Sequence, residues 1–255
     1  ATAGLARLDA GKKSKTFANA TPAEASALAV YMLGEELLRQ MVMQRAAAQK
    51  AGFVTGDATF ILPLSLDQLA LYLDPGLDAA RRRVSSIFNL YGDYARAAEE
   101  LAKIPPNSVH FEQARIEQAG ALTVLGRQQE AIDLLKKTVR RDQTAAEARL
   151  YLANLLANDG RHPEAVKELN ELIGKLSDEP DEDAWRFFVA RGASLLELDR
   201  WPEAEADLKR AVEIAPEDPT TLNYLGYSWA ERGVNLADAF ALIEKAVSLQ
   251  PGWLC

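Results

Sequence analysis

Cysteine is nearly absent: the 255 residues contain one, Cys255 at the last position. That excludes an internal disulfide and a cysteine-built zinc site, and it leaves the redox compartment open. Histidine is almost as scarce. His110 and His162 lie 52 residues apart without partners at ligand spacing, so no metal site is expected and both are placed in solvated turns. No apolar run reaches the ~18 residues that a spanning helix needs, so no direct membrane insertion is expected. Nor does a signal peptide open the chain, which begins at Ala1 without a methionine, as a processed or trimmed product does. Positive charge is in deficit, with 29 Lys and Arg against 37 Asp and Glu, a net charge of −8. That balance argues against a nucleic-acid backbone as the main partner.

What is present is a globular composition, 48% hydrophobic and 26% charged, with proline and glycine spaced like punctuation. In "NYLGYSWAERG", Gly226 sits inside an otherwise good helix, where glycine costs about 1 kcal/mol relative to alanine. Close approach of another backbone is the usual reason, and the arrangement recurs. Units that place this small residue eighth begin at Asp78, Glu112, Ala146, Trp185 and Pro219, at steps of 34, 34, 39 and 34 residues. Ala97, Ala131, Ala165 and Ala204 occupy the twentieth position, and Leu101, Leu135, Leu169 and Leu208 follow one helical turn later. Gly92, Gly126, Gly160, Asp199 and Gly233 fall at the turn between the two helices of each unit.

This pattern resembles the tetratricopeptide repeat, in which small residues at positions eight, twenty and twenty-seven let two antiparallel helices approach closely. The resemblance covers residues 22–251 and implies an all-α fold, a right-handed superhelical solenoid of helix–turn–helix units. Residues 1–21 read as the end of a preceding repeat plus a linker. Residues 22–77 read as an atypical first repeat, with a long helix behind a Thr21–Pro22 cap, a break at "AGFVTGDA", and a second helix in "TFILPLSLDQLALYLDP". Residues 78–255 form the array. "KIPPNS" shortens the second helix of the Asp78 unit, "SDEPDEDAW" is a longer acidic loop, and the turn after Gly233 gains a residue. The apolar last helix, with Phe240 and Ile243, implies a fragment of a longer array, with Trp253 and Leu254 folding back or self-association through uncapped ends.

Motifs that invite chemistry fail on spacing. "AGKKS" lacks the glycine spacing of a phosphate loop, and Lys13 stands where serine or threonine is required. The carboxylate pairs Glu35–Glu36 and Glu99–Glu100 read as solvated helix faces, and Arg81 and Arg83 as exterior cover around a groove-facing Arg82. "NAT" at Asn19 is a short sequon match of the kind that chance often produces. No nucleophile–base pair is visible, so no catalytic residue, metal or cofactor is assigned and the chain reads as a non-enzyme.

In the family, positions two, five, nine and twelve of each unit line a concave groove. Here these give Arg82, Ser86 and Asn89; Ile116 and Thr123; Leu150 and Asn154, with Asn158 one residue further round; Arg186 and Val189; and Asn223 and Tyr227. Asparagine bonds an extended peptide through both amide edges, and tyrosine adds apolar area and a hydroxyl. The family's lysine–asparagine carboxylate clamp is missing. The resemblance implies a non-catalytic adaptor whose groove binds another protein or peptide; the open alternative is a regulatory or targeting region of a larger enzyme or complex. The last two units look most like long proteobacterial tetratricopeptide proteins, which implies a periplasmic or outer-membrane-associated setting, with the cytoplasm as the alternative.

Overall fold

A computed structural model describes residues 20–50, 61–177 and 180–250, the side chains of 44–50 excepted. The expectations for residues 1–19, for "AGFVTGDA" and for Trp253 and Leu254 lie outside the described residues. Among the described residues, regular structure is entirely helical and no strand occurs. The chain divides into two units, residues 1–134 and 135–255. The first holds α1 (Pro22–Lys50), α2 (Ile61–Leu73), α3 (Asp78–Leu90), α4 (Tyr94–Ala102) and α5 (Phe111–Val124). α6 (Gln128–Arg141) runs through the division. The second holds α7 (Ala146–Asn158), α8 (His162–Ile173), α9 (Trp185–Glu197), α10 (Trp201–Ile214), α11 (Pro219–Glu231) and α12 (Leu236–Leu249). Consecutive helices pack on one another from α1 to α5 and from α7 to α12.

Five turns share one backbone device. Gly92, Gly126, Gly160, Asp199 and Gly233 take φ of 75°, 73°, 72°, 55° and 67°, the left-handed conformation that ends a helix. In each, the next residue's N–H donates to a carbonyl one turn back, as Arg161 does to Leu156 at 2.8 Å and Arg200 to Leu195 at 2.9 Å. A second helix starts two residues after each of the first four. After Gly233, Val234 and a left-handed Asn235 (φ 47°) come first. That extra residue is why Ala239 falls one place late.

The small positions are where paired helices touch. Ala97, Ala131, Ala165 and Ala204 are fully buried. A Cβ on Gly226 would stand 2.8 Å from Ile243 Cγ1 and 3.0 Å from the Ala239 carbonyl oxygen, so the helices of this pair meet backbone to backbone. In α3 the eighth position is Ser85, buried, whose hydroxyl donates to the Ala97 carbonyl at 3.1 Å. The α4 helix has nine residues, against twelve to fourteen in α6, α8, α10 and α12. Pro105 and Pro106 end it, because proline bars helix for itself and for the residue before it. Residues 174–184 join α8 to α9, and among the described ones a 3-10 turn forms at Glu182–Ala184.

The first pair differs from the rest. A reciprocal cap opens α1: the Thr21 N–H donates to Glu24 Oε2 at 2.8 Å, and the Glu24 N–H to Thr21 Oγ1 at 3.2 Å. Arg83, placed on the exterior by the sequence, is instead buried. Its Nε donates to Asp67 Oδ2 at 2.7 Å, a second nitrogen pairs with Asp67 Oδ1, and Nη2 donates to the Tyr31 carbonyl at 2.7 Å. The guanidinium lies 3.9 Å from the Tyr31 ring centroid. The correction has a simple cause: Asp67 is fully buried on α2 and requires a cation. Gly34 leaves that cation room, since a Cβ there would meet Arg83 Nη2 at 2.8 Å. Arg81 is also inside, bonding Glu100 at 3.1 Å and the Pro75 carbonyl at 2.6 Å.

Candidate functional site

In the second unit the first helices lie side by side, α7 against α9 and α9 against α11. Residues at positions six, nine and thirteen of each unit share one face, because spacings of three and four residues bring side chains into line. They are Tyr151, Asn154 and Asn158 on α7; Ala190, Ala193 and Glu197 on α9; and Tyr224, Tyr227 and Glu231 on α11. None is buried, and Asn154, Asn158, Glu197, Tyr224 and Glu231 are exposed. The side chains of Asn154, Asn158, Asn223, Tyr227, Glu197 and Glu231 make no hydrogen bond or ion pair among the described residues. Burial holds the Tyr151 phenol above its ordinary range, so it stays a neutral donor.

The residues expected at position five behave otherwise. Leu150 and Val189 are buried, each 7% exposed, and belong to the helix packing and not to an open wall. On α7 and α9 position six replaces position five on the surface, whereas Asn223, position five of α11, is half-buried. Arg186 is spent within the unit: its guanidinium bonds Glu147 at 2.7 and 3.1 Å.

In the first unit the corresponding polar groups, Asn89 excepted, are occupied. Arg82 pairs with Glu117, joining α3 to α5. Ser86 donates to the Arg82 carbonyl at 3.1 Å, and Thr123 to the Ala119 carbonyl at 2.9 Å. Asn89 is half-buried, and its Oδ1 finds no partner. Ile116 is half-buried. His110 precedes α5 half-buried, not solvated; burial first, then the Arg82 charge, lowers its pKa. His162 is also half-buried, with a buried Nδ1. Among the described residues no group of three or more His, Cys, Asp or Glu could hold a metal, and no helix is long and apolar enough to cross a membrane.

Tetratricopeptide repeat models match residues 125–187 and 183–252. The chain belongs to the tetratricopeptide repeat family. A TPR repeat-containing protein of Pseudomonas aeruginosa, PA4667, is 29% identical over 69% of this chain, which spans 29% of that protein. The Drosophila melanogaster protein O-mannosyl-transferase Tmtc1 is 32% identical over 48% of this chain and 16% of its own length. Among solved structures, yeast Tom70 superposes with a TM-score of 0.63 at 16% identity, covering 80% of this chain and 42% of that one. A MamA double mutant superposes at 0.55 and 17% identity, covering 68% and 93%.

This tetratricopeptide chain also carries a signal that the groove pattern overlooks. Arg81, Arg115 and Arg149 recur every 34 residues at position four. Arg149 bonds Glu168 at 2.7 Å as Arg81 bonds Glu100, whereas Arg115 donates to the Ile104 carbonyl at 2.5 Å. These arginines fasten the repeats. Tyr151, Tyr224, Glu197 and Glu231 were legible as an i, i+3, i+7 row built on the position-nine residues Asn154, Ala193 and Tyr227.

Proposed function

We propose that this chain is a non-catalytic interaction module that holds an extended segment of a partner protein along the first helices of its second unit. One observation carries the reading: Asn154 and Asn158 on α7, and Asn223 and Tyr227 on α11, stand unburied on the two helices that flank α9, with their hydrogen-bonding capacity unspent. Each asparagine offers a donor pair and an acceptor, which matches the alternating groups of a peptide main chain. The test is affinity capture from the source cells with the whole chain and with Asn154→Ala/Asn223→Ala, compared by quantitative mass spectrometry. Each lost hydrogen bond is worth about 0.5–1.5 kcal/mol, so partner recovery falls severalfold while the helical circular dichroism stays unchanged. Equal recovery overturns the reading.

A second reading is favoured by the Tmtc1 match, a relative named as a transferase of which this chain spans 16%. In it, the repeats serve a catalytic region elsewhere in a longer polypeptide. Transferase activity that co-purifies with the full-length gene product, and is lost when this region is deleted, supports it over the first. The envelope setting rests on the resemblance of the last two units, and cell fractionation with an antibody to this chain tests it.

A further inference from the structure

The wall of the second unit has a chemical bias, and no lysine of a carboxylate clamp lies on it. Its nine residues at positions six, nine and thirteen include no cation. Two are glutamates, Glu197 and Glu231, exposed at the ends of neighbouring helices and unpaired among the described residues. The arginines around them are already engaged. Arg191 holds Asp207 by two bonds of 2.7 Å and Asn170 by one of 2.8 Å. Arg186 holds Glu147, and Arg232 reaches Asp199 at 3.5 Å. Between the Tyr151 row and the Tyr224–Tyr227 row, α9 presents Ala190 and Ala193 ahead of Glu197, so the stretch between the tyrosines lacks long side chains. Tyrosine faces attract ammonium and guanidinium groups, and unpaired carboxylates supply the counter-charge.

We infer that the segment bound along this wall is cationic: an extended peptide whose lysine or arginine side chains lie over Ala190 and Ala193, between the tyrosines, and reach Glu197 and Glu231. This rests on the wall being the binding surface, and it specifies the partner's charge. An acidic tail, the ligand of a lysine-bearing clamp, meets two like charges here and is rejected.

The probes are two fluorescein-labelled peptides on a Gly-Ser-Asn background, one with three spaced lysines and the other with three glutamates. Anisotropy is read with the whole chain and with Glu197→Gln/Glu231→Gln, whose exposed side chains leave the fold intact by circular dichroism. The lysine peptide binds and the glutamate peptide does not. The double substitution weakens binding by about tenfold, and raised salt weakens it further, since exposed charges are screened beyond about 8–10 Å. Equal binding of the two peptides, lysine-peptide binding indifferent to the double substitution, or none below about 1 mM overturns the inference. If Asn154→Ala/Asn223→Ala still releases a captured partner while the lysine peptide fails, the wall stands as the site and only its charge preference is wrong.

Discussion

The two units use the same repeat positions for opposite ends. In the first, the polar groups of the first helices turn onto the protein itself: Arg83 to Asp67, Arg82 to Glu117, and Ser86 and Thr123 to their own helices. In the second, Asn154, Asn158, Tyr227, Glu197 and Glu231 stay unbonded among the described residues, with Arg191–Asp207 as an internal ion pair between them. A repeat motif thus specifies where two helices touch but not where its polar side chains are spent. Two glycines inside helices show this best. Gly226 admits a neighbouring backbone, whereas Gly34 leaves room for a guanidinium.

The buried pair is where that contrast breaks most sharply. Asp67→Ala strands the Arg83 charge in the interior, at a cost of about 3–5 kcal/mol. Hydrogen exchange of α1–α3 amides is the measurement of choice, since local stability is what changes. Asp67→Leu with Arg83→Met recovers most of the loss, because a well-packed apolar substitute is often no worse than a buried ion pair. A loss below about 1 kcal/mol for Asp67→Ala means that the first unit is not fastened by charge.

Next in size is overpacking in the second unit. Gly226→Leu drives a side chain into Ile243 and the Ala239 carbonyl, costing about 1–3 kcal/mol in urea denaturation. Gly192→Ala costs less, since its nearest neighbour is the end of a flexible side chain, Leu208 Cδ2 at 3.0 Å. Equal effects at both glycines would deny that Gly226 is a backbone contact.

These glycines show how far the sequence could be read. A left-handed turn is a local backbone demand, so Gly92, Gly126, Gly160 and Gly233 announce it by residue type. Asp199 does not, and only the register around it shows that it does the same work. Ala239 displaced by one residue likewise reports the longer turn after Gly233. The Arg83–Asp67 pair was not legible, because no local rule tells which of three successive arginines meets an acid sixteen residues earlier. Burial decides that, and burial is a property of the packed helices. Leu150 and Val189 were misplaced for the same reason: helix rotation is set by packing, which turned both inward and left Asn154, Asn158 and Tyr227 unburied.

Turn backbone gives a smaller effect that separates conformation from packing. A Cβ on Gly160 would meet nothing within 4 Å, so Gly160→Ala suffers only from its positive φ, about 1–2 kcal/mol. Asp199→Gly relieves the same strain, and thermal melts gain up to about 1 kcal/mol of stability, less the weak Arg232 contact. If both substitutions destabilise alike, the Asp199 side chain matters more than its backbone.

The smallest effect is one of pH, and one carboxyl from each unit gives it opposite signs. In the first, burial pushes the Asp67 carboxyl above its ordinary range against the pull of Arg83. A carboxyl raised on folding contributes stability below its unfolded pKa and loses that contribution as pH rises through its folded value. In the second, hydrogen bonds from Arg161, then from Lys136, lower Glu164 to about 2. Its contribution is present above the ordinary pKa of 4.5 and is lost as pH falls toward 2. Because the Glu164 side chain is 46% exposed, solvent screens the pair and its share of stability stays within about 0–1 kcal/mol. Carbon-detected NMR titration of the two carboxyls reads both directions at once. Arg161→Gln returns Glu164 toward 4.5 and leaves Asp67 untouched. If Glu164 titrates near its ordinary value in the unaltered chain, the Arg161 and Lys136 bonds do not persist in water. The share of the pH dependence that Glu164 carries then disappears with them.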